Sequence, residues 1–409
     1  MRRILLLFFL IDPFLPARAA KQLTVEQLEH MLADAHGRRD QDLAKRLGGM
    51  KLSERLSSPR LAKAEMELPG EKSRLALLAL ADASVFLQLP AAEIPATADP
   101  DAAAQKLILS RAAEYLAASI PKLPDFLARR TTMRFHDLKV SYLSGASDPV
   151  ILEHQAFQPI DTFIDTVSYA NGHEVVEANE KQPGSRRRDG LVNWGVFGQL
   201  QNIVVTDIYK GKVEWSHWEM LPSGPVAVFQ YSIPKENSSY IVKYCCIGSM
   251  PASNGEILIA ATGGKPNFTP RFFESVPAFH GEIAIDSATG AVYRLALRTD
   301  LSPSDPIFQA EIMVEYAQVE IGGKTYICPS KSVTITSAFA PVLHPGNCVG
   351  AGVNSECAPS HVLTPKDTAI NDMEYDSYHV FRSEMRILPS GSTGQPNSPV
   401  SVPSAAPGP

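Results

Sequence analysis

The chain has 409 residues, 44% of them apolar and 20% charged, with a formal net charge of −6. This is an ordinary globular composition at a length that exceeds what one hydrophobic core usually supports, so two domains are expected. The acidic balance gives no footing to a nucleic-acid-binding role.

The first segment, MRRILLLFFLIDPFLPARAA, joins a basic start (Arg2, Arg3) to a short apolar run from Ile4 to Leu15 and the small-x-small sequence Ala17-Arg18-Ala19. It reads as a cleavable secretory signal with cleavage near Ala19. Asp12 and Pro13 interrupt the run, which falls short of the ~20 residues a membrane-spanning helix needs. No later segment is longer or more apolar, and the first cysteine is Cys245, far from any lipid-attachment position. The expectation is a periplasmic or secreted protein with no transmembrane segment after cleavage. Loss of residues 1–19 removes three arginines and one aspartate and takes the net charge from −6 to −8.

From residue 20 to about 125 the apolar spacing is helical. Thr24 with Gln27 forms a capping-box signal ahead of Leu28, Met31 and Leu32, and Ser58-Pro59 opens a second helix that Pro69-Gly70 stops. Two longer helices follow at about 71–87 and 99–120, joined by QLPAAEIPATA. Their stripes, Leu75, Leu78, Ala81, Val85 and Leu109, Ala112, Ala113, Leu116, Ile120, need partners, which predicts a small helical bundle.

Residues 126–388 change to period-two alternation with β-branched residues and tight turns. KVEWSHWEML, PVAVFQYSI, FHGEIAID, AVYRLALRT, FQAEIMVEYAQVE and KTYICPSKSVTIT are among the strands, and Asn171-Gly172, Ser287 to Gly290 and Gly322-Gly323 mark hairpin turns. Connections this short imply an antiparallel meander. RDGLVNWGVFGQLQNIVVTD, apolar all round, predicts one buried helix at about 190–205 inside a curved sheet. Residues 389–409 carry no charged side chain, are rich in proline and serine, and read as a disordered tail.

FHGEIAIDSATGAVYRLALRTD followed by AEIMVEYAQVEIGGKTYICP resembles the hairpin series of the periplasmic lipoprotein-carrier-like fold, shared with envelope anti-sigma-factor regulators and sigma-factor sensors. LPDFLARRTTMRFHD and VFRSEMRIL resemble a group of uncharacterised exported bacterial proteins. The first resemblance implies an α+β architecture in which an incomplete antiparallel barrel wraps around a buried helix, here preceded by the helical domain. It also implies an apolar ligand, an acyl chain or lipoprotein-like molecule, on the concave side, with Trp194, Phe197, Trp218 and Phe229 as lining residues.

Sequence motifs for chemistry are absent. There is no His-Glu-x-x-His helix, Gly-x-Ser-x-Gly elbow, phosphate loop or dinucleotide fingerprint, so no catalytic residue, metal ligand or cofactor is assigned. Cys348 and Cys357 enclose NCVGAGVNSEC and are expected to form a disulfide, while the pairing of Cys245, Cys246 and Cys328 stays open. In KVEWSHWEML, strict alternation places Trp215, His217, Glu219 and Leu221 on one face and Glu214, Ser216, Trp218 and Met220 on the other. The functional expectation is an exported, non-enzymatic envelope protein that binds an apolar ligand. The alternatives are a scaffold or sensor whose helical domain contacts an envelope partner and, last, a hydrolase with an interdomain site.

Overall fold

The computed structural model describes residues 21–35, 37–142, 150–176, 190–191, 195–221, 224–247, 271–339, 348–349, 356–357 and 366–381. The expected signal peptide and C-terminal tail lie outside these residues. Helices and a large antiparallel sheet together make the fold α+β.

The chain opens with β1 (Lys21–Leu23), α1 (Val25–Ala33), α2 (Asp40–Gly48), β2 (Met50–Leu52), α3 (Ser58–Met66) and α4 (Glu71–Asp82). Thr24 caps α1 as expected: its side chain accepts from the Gln27 amide, and Gln27 reaches back to the Thr24 amide. β1 and β2 pair in parallel, a contact that no short-range pattern announces. Leu28, Leu43, Leu47 and Leu77 bury together in a core of their own. α5 (Ala102–Ser119) follows, capped by Asp101.

The strands are β3 (Phe126–Tyr142), β4 (Val150–Ala170), β5 (His173–Val176), β6 (Gly190–Leu191), β7 (Lys212–Leu221), β8 (Gly224–Ile233), β9 (Val242–Ile247), β10 (Arg271–Ser275), β11 (Ala278–Asp286), β12 (Val292–Asp300), β13 (Ile307–Ile321), β14 (Lys324–Phe339), β15 (Cys348–Val349), β16 (Glu356–Cys357) and β17 (Lys366–Val380). Ten of them form one antiparallel sheet in the order β5-β4-β3-β17-β14-β13-β12-β11-β8-β7. The meander is broken twice, where the last strand inserts between β14 and β3 and where β11 skips β9 and β10 to join β8. Asn171-Gly172 and Gly322-Gly323 make their turns with positive φ at both residues, as a two-residue hairpin requires.

Both faces of this sheet are apolar over much of their area. On β13, Ile312, Val314 and Tyr316 point to one side and Met313 to the other. The first side receives α5 and a second helix, α6 (Gln199–Ile208). The opposite side receives Ala79 of α4 and Val85, which pack on Phe135, Met313, Val333 and Ile370. Both predicted helical stripes are largely buried, but they do not find each other, and Ala81 of the first turns instead into the core of the N-terminal helices. Leu109, Ala112, Leu116 and Ile120 join the sheet with α6, whereas Leu75, Leu78 and Val85 join it from behind. The sheet offers each stripe a larger apolar surface than the other helix would.

α6 starts later than the sequence suggests. Gly195 and Gly198 adopt φ of +79° and +112°, so the chain turns there and the helix begins at Gln199. A Cβ on Gly198 would sit 3.0 Å from the Ile120 side chain. Val196 and Phe197 are buried by that turn, and the helix uses Leu200, Val204 and Ile208 as one apolar stripe, with Asn202 exposed.

β15 and β16 set Cys348 opposite Cys357 in backbone register. Their side chains lie outside the described residues, so the disulfide stays an expectation. Cys328 is a free, buried thiol in the main core, and β9, which carries Cys245 and Cys246, belongs to a separate sheet with β10 and β6.

Phe126 anchors the main core, with Tyr169, Phe197 and Tyr378 ring centroids 5.1, 5.4 and 5.5 Å away. Phe126→Ala is expected to cost about 3–5 kcal/mol of unfolding free energy, read from urea denaturation. A loss below about 1 kcal/mol would show that this junction of β3, β17 and the turn before α6 is not tightly packed.

Candidate functional site

β7 is the edge strand of the large sheet, and it carries two of the three tryptophans, Trp215 and Trp218. Alternation fails there because of a β-bulge. Trp215 pairs with Phe229, yet His217, two residues on, pairs with the adjacent Val228, so Ser216 is the extra residue. Trp218 then pairs with Ala227 and Glu219 with Val226. Trp215 and Trp218 therefore share the α5 side, against the expected split, with centroids 5.1 Å apart and edge to face. Trp215 packs in turn on Phe229 at 5.5 Å, and Trp218 Nε1 donates to the Ala98 carbonyl at 3.0 Å.

His217 and Glu219 do share a face, the α4 side, where they meet residues that no local pattern joins to them. Glu219 Oε2 accepts from Arg55 Nη2 at 2.8 Å and from Arg294 Nη2 at 2.7 Å. Arg294 also approaches Glu282 at 3.4 Å, and Glu282 Oε1 accepts from Gln88 Nε2 at 2.7 Å. Burial pushes the Glu219 carboxyl up, but Arg294 and Arg55 outweigh it and hold the group down at about 2. Burial lowers His217 despite Glu282 and Glu219 beside it, so the imidazole is neutral at pH 7.

Ser216 Oγ lies 2.9 Å from His217 Nδ1, and His217 Nε2 lies 4.0 Å from Glu219 Oε2. The sequence of hydroxyl, imidazole and carboxylate invites comparison with a hydrolase triad. Two features argue against it: Glu219 is already committed to two guanidinium groups, and its distance from Nε2 is too long for a hydrogen bond. The arrangement ties the helical layer to the sheet, because Arg55 follows β2, Gln88 follows α4, and the others stand on β7, β11 and β12.

A second buried set lies further along the same face. Lys331 Nζ sits 3.0 Å from Asp82 Oδ1, at the end of α4, and 3.3 Å from Asp372 Oδ2 on β17. Burial raises both carboxyls and the single ammonium only partly opposes it, so this pair holds protons more tightly than exposed aspartates do. Sequence alone carried a faint sign of these groups: Asp82 closes the apolar run LALLALAD, and Arg294 interrupts the strand VYRLAL.

Among the described residues, one cavity of appreciable volume lies on each side of the sheet. A cleft of about 430 Å³ on the α4 side lies between Val85, Phe86 and Gln88 and the strands carrying Lys212, Glu214, His280, Glu282 and Arg298. On the α5 side a pocket of about 290 Å³ is lined by Tyr115, Leu116, Ile120, Leu123, Phe197, Tyr316 and Cys328, among others. Neither opens on Ser216 or His217. Burial pushes the Cys328 thiol up to about 12, so it is an inert apolar wall.

Of the four expected lining residues, Phe197 lines this pocket, Phe229 is fully buried under Trp215, and Trp218 lies at the β7 edge. Trp194 lies outside the described residues. Tyr115, Ile120 and Tyr316 come from α5, the residue that ends it and β13, whose meeting depends on the tertiary fold. Among the described residues no group of three or more histidine, cysteine, aspartate or glutamate side chains is placed to hold a metal ion. No described helix is long and apolar enough to cross a membrane.

Compared with family models, curated proteins and solved structures, the chain matches none.

The two ionic sets respond to pH in opposite directions. Glu219 has a depressed carboxyl, so its stabilisation is present above the unfolded value near 4.5 and is lost as pH falls toward 2. Asp82 and Asp372 have raised carboxyls, so theirs is complete below the unfolded value near 3.8 and is lost as pH rises through their folded values. Glu219→Gln is expected to lower stability by about 3–5 kcal/mol at pH 7, leaving two buried guanidiniums without their carboxylate. Its urea midpoint should also lose much of the acid-side decline. Asp372→Asn should instead flatten the decline on the alkaline side, and an unchanged pH profile in either variant would contradict the assignment.

Proposed function

We propose that the protein is an exported, non-enzymatic envelope protein that holds one apolar chain, such as a short acyl group, in the pocket between α5, α6 and strands β13 and β14. In this reading the ten-stranded sheet is the half-barrel of the lipoprotein-carrier-like fold and α6 is its buried helix. The leader pattern of residues 1–19 supports export. The observation that carries the binding reading is the pocket itself: Leu116, Ile120, Leu123 and Phe197 make its apolar wall, and the buried hydroxyl of Tyr316 has no hydrogen-bond partner among the described residues. A buried, unpaired hydroxyl is costly unless a ligand or water completes it.

The volume sharpens the ligand class. A volume of about 290 Å³ suits one short chain. Native mass spectrometry of gently purified protein is expected to show a bound acyl species, or a mass shift when decanoate is added. Ile120→Trp should abolish the shift while leaving the far-ultraviolet circular dichroism unchanged. Absence of both co-purified lipid and any shift with decanoate would remove the reading.

A second reading, an envelope scaffold, draws support from the way α5 and α6 themselves occupy most of that face. It predicts that the protein binds its partner equally well whether or not Ile120→Trp blocks the pocket. A partner lost on blocking would exclude it.

A further inference from the structure

The cleft on the α4 side has a charge pattern that the apolar-ligand reading does not use. Cross-strand pairing arranges its floor in two parallel rows. Lys212, Ser232, His280 and Arg298 stand opposite one another across β7, β8, β11 and β12, and so do Glu214, Gln230, Glu282 and Ala296. One row is cationic and the other anionic. They are two residues apart along each strand, which is roughly 7 Å.

Most of these charges are already engaged. Arg298 Nε donates to Glu311 at 2.8 Å, His280 pairs with Asp300 at 3.2 Å, and Glu282 is held by Gln88 and Arg294. Lys212 and Glu214, one in each row and both exposed, have no ion-pair partner among the described residues. Between the rows and the opposing wall lie apolar surfaces from Val85, Phe86 and Ala296. The cleft therefore offers an unpaired cation, an unpaired anion about 7 Å away, and an apolar wall.

We propose that this cleft is a second binding site, for a small zwitterion of dipeptide length. Two extended residues span at most roughly 7 Å from end to end, which is the separation of the rows because the strands set it with the same unit. The ligand's ammonium lies against Glu214 and Glu282, its carboxylate against Lys212 and Arg298, and an aliphatic side chain against Phe86 and Val85. A carboxylate-only or ammonium-only ligand satisfies one row and leaves the other exposed to water. The site lies on the opposite side of the sheet from the pocket between α5 and α6 and is independent of it.

Isothermal titration of the full chain with Ala-Leu, N-acetyl-Ala-Leu and Ala-Leu-amide tests this. The free dipeptide should bind saturably, and each blocked form should bind about tenfold or more weakly, the worth of one charge-assisted contact. Lys212→Met should erase the preference for Ala-Leu over its amide while keeping the preference over the acetylated form. Glu214→Gln should do the reverse. Both side chains are exposed, so thermal melting should be unchanged in each variant. No saturable binding of Ala-Leu at millimolar concentration overturns the proposal, as does equal binding of all three peptides. Competition by decanoate would place the dipeptide in the pocket on the α5 side and overturn it equally.

Discussion

A wide antiparallel sheet with apolar side chains on both faces cannot stand in water with either face bare, and the rest of this molecule follows from covering it. On β12, Leu295 and Leu297 enter one core while Ala296 between them enters another. α5 and α6 close the first face, and α4 with the helices before it closes the second. The chain between α4 and α5 has to pass from one side to the other. It does so around the edge strand β7, since Gln88 bonds to Glu282 on one face and Ala98 accepts from Trp218 on the other. The passage also shields an edge whose unpaired backbone would otherwise invite another strand.

The two faces differ in kind. The α5 side is packed mainly by aromatic and aliphatic side chains around Phe126, Phe197 and Phe229, with Asp207 of α6 buried against Ser239, whereas the α4 side sets two groups of opposed charges among its apolar contacts. Glu219 lies between Arg55 and Arg294, and Lys331 between Asp82 and Asp372. Buried ion pairs of this sort contribute little net stability compared with apolar residues of equal volume, because desolvation offsets their attraction. What they do is penalise misplacement: a helical layer shifted by one residue would strand a guanidinium or a carboxylate without its partner. That is a reason for a layer of short helices, α1 to α4, to dock in one orientation.

The same contrast separates the cavities. The pocket on the α5 side is walled mainly by apolar residues such as Leu116, Ile120 and Phe197, and the cleft on the α4 side by alternating charged rows. Both lie where helices meet the sheet, and their linings come from segments far apart in sequence, such as Phe86 with Lys212 and Ile120 with Tyr316.

Local periodicity determined a good deal. The capping box at Thr24, the stripes of α4 and α5, the alternation of β11 to β14 and the glycine turns at Asn171-Gly172 and Gly322-Gly323 are all decided within a few residues by backbone geometry and side-chain spacing. Tertiary structure decided the remainder. Nothing local says that Leu78 and Leu116 will face opposite sides of one sheet, because a stripe specifies an apolar partner without specifying which one. Nothing in KVEWSHWEML marks Ser216 as the extra residue, since the bulge exists only relative to Phe229 and Val228 on the neighbouring strand. Once it forms, it reverses the side taken by Trp218 and joins it to Trp215, yet leaves His217 with Glu219. Arg55 and Asp82 likewise look like ordinary solvated charges until the sheet supplies Glu219 and Lys331, because burial of a charge is a property of the assembled layers and not of the segment that carries it.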